Sequence, residues 1–108
     1  TQYFLLSAAT TNSTSVKAGP CNVYNIIVSN INAAARYLKL YDLAAAPTVG
    51  TTVASMVILI PAASIVNIPF PVGLAFVTGI AFSLNTGAAA ADMGAVSAAE
   101  HFVNIAYK

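Results

Sequence analysis

The chain has 108 residues, of which 58% are hydrophobic and only 6% are charged, and its formal net charge is +1. This length suits one domain with its own hydrophobic core. The low charge excludes a nucleic-acid-binding surface, which needs a basic stripe or run, and favours permanent assembly, because charge repulsion hardly opposes association.

The first apolar run is YFLLSA at residues 3–8, and the polar TTNSTS follows it. The run is too short for the core of a signal peptide and no basic residue precedes it. Residues 1–15 therefore have two open interpretations: an ordinary first strand, or an edge hairpin or arm that reaches a neighbouring subunit. In the second case the candidate N-terminal contact residues are Tyr3, Phe4, Leu5 and Leu6.

STSVKA at residues 13–18 predicts a second strand, and Gly19-Pro20 predicts the turn after it. NVYNIIVSNI at residues 22–31 predicts a half-buried strand, since Tyr24, Ile26 and Val28 alternate with the residues between them. Cys21, the only cysteine, stands where this strand starts. A single cysteine excludes an internal disulfide and a thiolate cluster, and we expect a small buried side chain rather than a reactive thiol.

RYLKLYD at residues 36–42 is the densest charge in the chain. A helix over residues 33–46 stays open, because the alanine-rich flanks have high helix propensity. A strand is favoured, since the segment is short and the segments on both sides are strands.

As a strand, this segment places Lys39 between Tyr37 and Tyr41 on one face, which is typical of a strand facing solvent or a partner. One interpretation is an edge strand whose lysine discourages aggregation between sheets. The other is a protein-contact patch, because Tyr and Arg are enriched in interfaces. This candidate patch consists of Arg36, Tyr37, Lys39 and Tyr41.

Residues 43–91 carry no charge, but prolines and glycines divide them into pieces of strand length. Such pieces are too short to span a membrane as helices, so we expect no membrane segment. VASMVILI at residues 53–60 is apolar on both faces, which predicts a central strand covered on both sides.

SIVNI at residues 64–68 predicts the next strand. PFPVG at residues 69–73 is expected to lie outside the sheet, because its prolines lack an N–H donor. AFVTGIAFSL at 75–84 and HFVNIAY at 101–107 alternate as strands do, and residues 85–100 form a long small-residue connection with a short helix as an option. Seven to eight strands predict an all-β, single antiparallel β-sandwich (jelly-roll-like) that covers residues 1–108 as one domain.

Few residues could carry chemistry. His101 is the only histidine, and Glu100 beside it is expected to point to the opposite face of a strand, so the two should not pair. We expect His101 at the surface or in an interface. Asp42, Asp92 and Glu100 are the only carboxylates, and no phosphate-binding glycine loop is present. The sequence therefore predicts no enzyme, no cofactor, no metal site and no small-molecule substrate.

Several segments together resemble a group of small proteins encoded by tailed bacteriophages: AGPCNVYNIIVSN, NAAARYLKLYD, APTVGT, IPA, GLAFVTGIAFSL, TGAAAAD and NIAYK. The resemblance covers roughly residues 14–108, although Cys21 and Asn25 stand where small residues or glycine are expected. It implies a virion component that decorates or cements the capsid shell, made in the host cytoplasm. The implied partner is the major capsid protein, and the near-zero net charge and the hydrophobic composition separately predict a dimer or trimer of the chain. The pattern contains no catalytic residue.

Two other functions stay open. A carbohydrate-binding or host-adhesion module is also a β-sandwich, although the chain lacks tryptophan, which sugar platforms often use. A small tail or connector protein would differ from a capsid protein only in its location on the particle.

Overall fold

The computed structural model describes residues 1–108, which form eight β-strands and no helix. The strands are β1 Gln2–Leu6, β2 Thr14–Ala18, β3 Cys21–Asn30, β4 Arg36–Asp42, β5 Met56–Ile60, β6 Ser64–Phe76, β7 Gly79–Asn85 and β8 Phe102–Tyr107. No helix is therefore available to cross a membrane.

The strands pair into two antiparallel sheets of four. The first sheet has the order β1-β8-β3-β6, and the second sheet has the order β2-β7-β4-β5. This interleaved order over eight strands is that of a jelly roll, in which the first and last strands pair and two Greek keys interlock. The predicted all-β sandwich with jelly-roll-like topology is confirmed.

The two sheets enclose one hydrophobic core, which alternate residues of each strand supply. Ile26 and Val28 of β3 face Phe82 of β7 across the core, and all three are fully buried. Burying one such side chain contributes about 1.5–3 kcal/mol. The ring of Tyr3 meets the ring of Phe82 edge to face, with centroids 5.9 Å apart.

The strand interpretation of residues 36–42 is confirmed and the helical one is wrong. β4 pairs with β7 on one side and with β5 on the other. Leu38 and Leu40 are fully buried in the core between the sheets. Pairing on both sides and burial of this leucine pair outweigh the helix propensity of the alanines around the strand.

The expectation that PFPVG lies outside the sheet is wrong, because β6 runs through it from Ser64 to Phe76. Two features make the prolines tolerable. β6 is an edge strand, so one side of it needs no donors. The pairing also jumps from Asn25 with Pro69 to Val23 with Leu74, so residues 70–73 form a bulge opposite a single residue of β3.

The same irregularity changes the two faces of β3. Val23 lies on the core face with Ile26 and Val28, whereas Tyr24 at the bulge is partly exposed. The predicted alternation is therefore right after the bulge and wrong before it. Cys21 at the start of β3 is buried, as expected, and this burial raises the pKa of its thiol.

VASMVILI does not form a central strand. β5 begins only at Met56 and lies at the edge of the second sheet, where Val57 and Leu59 are exposed. A segment that is apolar on both faces is typical of a covered strand, but the pattern alone does not distinguish it from an edge strand that exposes apolar side chains.

Candidate functional site

The central part of the outward face of the second sheet, where the candidate contact patch was predicted, is covered by the chain itself, whereas Val57 and Leu59 of the edge strand β5 stay exposed on this face. β4 is a central strand, so an edge strand with an aggregation-blocking lysine is wrong. Lys39 and Tyr41 point away from the core, yet each is only 2% exposed. Arg36 and Tyr37 are half-buried. Of the four residues of the predicted contact patch, Lys39 and Tyr41 are therefore closed to a partner.

The connection between β7 and β8 supplies this cover. The ammonium of Lys39 donates to the carbonyl of Ala89 at 2.7 Å. The side-chain amide of Asn85 donates to the carbonyl of Asp92 at 3.2 Å. The hydroxyl of Tyr41 lies 3.0 Å from Ser83 Oγ. Lys39 and Asn85 therefore hold the connection on the sheet, Tyr41 is paired with Ser83 within the sheet, and these polar groups are not free for a partner.

Replacing Lys39 with methionine should lower the free energy of unfolding by about 1–3 kcal/mol, because the carbonyl of Ala89 would lose its ammonium donor while the side-chain volume stays similar. Urea unfolding measures the loss. Lys17→Met is the matched control, since no hydrogen bond or ion pair holds the Lys17 ammonium, and it should change stability by about 0.5 kcal/mol or less. Equal stability of the two variants would show that the Ala89 contact contributes nothing.

His101 lies inside the protein, not at the surface as predicted. It is 1% exposed, and its Nε2 lies 2.7 Å from Oε2 of Glu100. The opposite-face argument fails because β8 begins only at Phe102, and Ala99 with its positive φ of 54° turns the chain just before the pair. Nδ1 of His101 donates to the carbonyl of Ser29 at 2.7 Å, since a carbonyl can only accept.

Glu100 is the centre of a buried polar cluster. Its carboxylate accepts hydrogen bonds from the side chains of Asn32 at 2.5 Å, Arg36 at 3.1 Å and His101 at 2.7 Å. Burial by itself raises the pKa of Glu100, but these hydrogen bonds and the charges of Arg36 and His101 outweigh burial and hold the pKa below its usual value. Arg36 is thus committed to an internal partner.

This cluster joins the β3–β4 turn, β4 and the residues before β8. The imidazole of His101 is fully buried, so no substrate in solution can reach it. No group of three or more His, Cys, Asp or Glu side chains is placed to hold a metal ion. The arrangement stabilises the fold and offers no open site for chemistry.

The outer face of the first sheet, by contrast, lies open. Alternation directs Tyr3 and Leu5 of β1 into the core and leaves Phe4 and Leu6 pointing outward. The strand register places further apolar side chains beside them. The large apolar side chains of this face are Phe4, Leu6, Ile27, Ile65 and Phe102, and the smaller Pro69 and Ala106 lie on it too.

Uncharged amides fill the spaces between these apolar side chains. They belong to Gln2, Asn25, Asn67 and Asn104, and none of the strand residues on this face is charged, although Lys108 follows β8 at its end. A shallow depression of about 310 Å³ opens between Gln2, Asn25 and Asn104. Oδ1 of Asn25 is buried there without any hydrogen-bond partner.

The N-terminal segment is the ordinary first strand of the domain. β1 pairs with β8 and β2 pairs with β7 in the other sheet, so residues 1–15 form no hairpin. Of the four predicted contact residues, Phe4 and Leu6 lie on the open face and Tyr3 and Leu5 do not. The rest of this face was not predicted as a contact surface. Ile27 and Ile65, which also lie on it, belong to the alternating segments NVYNIIVSNI and SIVNI.

The sequence matches no protein-family model and no curated protein. Among solved structures, the fold is similar to that of the Tobacco streak virus coat protein, with 10% sequence identity. The match covers 97% of this chain and 85% of that chain, with a TM-score of 0.37. At this TM-score the similarity assigns neither a family nor a function.

Proposed function

We propose that the chain is a structural protein of a virus particle, specifically a capsid decoration or cement protein of a tailed bacteriophage. In this proposal it is made in the host cytoplasm, binds the major capsid protein at the capsid surface and stabilises the shell. The observation that carries the proposal is the contrast between the centres of its two sheets: the chain covers the outer face of the second sheet over β4 and β7 and leaves the outer face of the first sheet bare.

The chemistry of the bare face favours contact with protein. Four strands present large apolar side chains among neutral polar and small residues, and an exposed apolar patch is typical of an interaction site. Since the strand residues of the face are uncharged, covering them requires no charged group to lose its water. The near-neutral net charge of +1 also leaves little repulsion against dense packing of copies on a shell.

Two further observations support a virion protein. The segments AGPCNVYNIIVSN and GLAFVTGIAFSL resemble the phage group named above. Jelly rolls occur in viral capsid domains and in lectin domains, so the topology fits the proposal, although a fold by itself does not decide a function.

We also propose that the chain acts without catalysis. The only histidine and its carboxylate neighbour are buried in the Glu100 cluster, and Cys21 is buried in the core. The only imidazole and the only thiol of the chain, which are common bases and nucleophiles in active sites, are thus closed to substrate.

Purified chain added to empty shells of the encoding virus should co-sediment with them and raise the temperature at which they disassemble. A ligand that binds only the assembled shell stabilises it by mass action, by about 2.7 kcal/mol at a concentration 100-fold above Kd. Shells of an unrelated phage serve as the control. Failure to co-sediment at any concentration, with unchanged shell stability, would contradict a decoration function.

A second candidate function is carbohydrate binding, which the amide-lined depression favours. Asn25 and Asn104 offer the neutral donors and acceptors that sugar hydroxyls need, and Phe4 lies in the same register row as Asn104. Titration with neutral oligosaccharides, followed by NMR shifts of Asn25 and Asn104, separates this function from capsid binding.

A further inference from the structure

We propose that the outer face of the first sheet docks against the same face of a second copy of the chain, forming a two-fold dimer. This dimer concerns the isolated protein and goes beyond attachment to the capsid, so the dimer and the capsid attachment can each occur without the other. Among the partners of the bare face, a second copy of the chain fits best.

Charge is the first argument for a second copy. The strand residues of the bare face carry no charge, and Lys108 lies only at its end, whereas the charged residues of β4 lie on the second sheet. A partner with a charge at this position would bury it unpaired, which is costly. A second copy presents the same uncharged surface and avoids this cost.

Hydrogen bonding is the second argument. Each amide of Gln2, Asn25 and Asn104 carries both donors and acceptors, so the face is complementary to itself. In a two-fold contact, residue i of the first copy contacts residue j of the second, and residue j of the first contacts residue i of the second. Each pair of amides that hydrogen-bonds across the interface therefore occurs twice. Oδ1 of Asn25 has no partner in the single chain, and rotation of this side chain toward a neighbouring amide would provide one.

The size of the face sets the strength of the dimer. Four strands about 4.8 Å apart and five residues of about 3.4 Å each give a face of about 19 by 17 Å. Each face therefore has about 320 Å², and two such faces bury about 650 Å² in total, which is below the roughly 1,200 Å² of standard specific interfaces and fits a weak, transient contact. We therefore expect a weak dimer with a Kd of about 1–100 µM, strengthened where copies are held close together.

Leu6→Lys tests the proposal, with Leu59→Lys as the matched control. The two leucines have similar exposure, 55% and 52%, and both lie on edge strands, but only Leu6 is on the bare face. Sedimentation velocity over a concentration series should show a dimer for the wild type and for Leu59→Lys. Leu6→Lys should raise Kd about 100-fold, because the lost contact occurs twice in a two-fold dimer.

Ile65→Lys, at the opposite edge of the face, should weaken the dimer in the same way, and thermal unfolding checks that every variant stays folded. A wild type that remains monomeric at millimolar concentration would overturn the proposal. So would a dimer that Leu59→Lys breaks and Leu6→Lys does not. If the isolated wild type is monomeric and Leu6→Lys only weakens attachment to shells, the occupant is the capsid protein and the proposed dimer is wrong, while the proposed function stands.

Discussion

Replacing Glu100 with alanine is expected to lower the free energy of unfolding by about 3–5 kcal/mol, because removing one member of a buried ion pair leaves the others without compensation. Glu100 accepts hydrogen bonds from Asn32, Arg36 and His101, and its own side chain is almost completely buried. Urea unfolding followed by circular dichroism measures the loss.

Asp92→Ala is the matched control for this carboxylate. Asp92 Oδ1 accepts a backbone hydrogen bond from Gly94 and has no cationic partner, so its loss should cost about 1 kcal/mol. Glu100→Gln, which keeps the shape and the bond with Asn32, should fall between the two. A Glu100→Ala variant as stable as Asp92→Ala would show that the cluster contributes little.

The pH dependence of stability follows from the same group. The pKa of Glu100 is lower in the folded protein than its ordinary value of 4.5, so the unfolded chain binds more protons as the pH falls. The contribution of Glu100 is therefore complete above pH 4.5 and is lost as the pH falls through the folded pKa. Asp42 acts in the same direction, because backbone hydrogen bonds from Thr78, Val77 and Gly79 lower the pKa of its carboxyl. Glu100→Gln should lose less stability on acidification than the wild type.

Gly79→Ala is expected to destabilise the protein by more than about 3 kcal/mol, through overpacking that the backbone cannot relieve. A Cβ at Gly79 would lie 2.4 Å from the carbonyl oxygen of Lys17 and 2.5 Å from that of Leu43. Both atoms belong to backbone that is hydrogen-bonded around the start of β7, so neither can move without breaking the second sheet.

Gly19→Ala is the control for this substitution. Gly19 has a positive φ of 98°, but a Cβ there would meet nothing within 4 Å, so only the backbone strain remains. We expect a loss of about 1–2 kcal/mol for this variant. Thermal unfolding of both variants compares them directly, and equal losses would show that the close approach at Gly79 is relieved by the chain.

The fold was predictable from the sequence because the strands alternate and turn residues separate them. The strand at residues 36–42 was predicted because the segment is short and lies between two predicted strands. The position of each strand within its sheet was not predictable, because local pattern carries no information on neighbours. VASMVILI, the most apolar segment, lies at an edge, whereas RYLKLYD, the most charged, lies in the centre.

The burial of Lys39 and His101 was missed for a related reason. Both side chains are covered by residues far away in sequence. The carbonyl of Ala89 accepts a hydrogen bond from the lysine ammonium, and the carbonyl of Ser29 accepts one from the imidazole. Only the folded chain brings these acceptors close. Two residues of the bare face, Phe4 and Leu6, were among the predicted N-terminal contact residues. The other residues of the face were not predicted, because its extent depends on the register of four strands.

An electron-microscopy map of the native virus particle would show whether the chain is a capsid protein. We expect density for this jelly roll on the outer surface of the capsid shell, with the outer face of the first sheet, including Phe4, Leu6 and Ile65, buried against protein. A particle that lacks the chain, or one in which this face lies open to solvent, would contradict the proposed function.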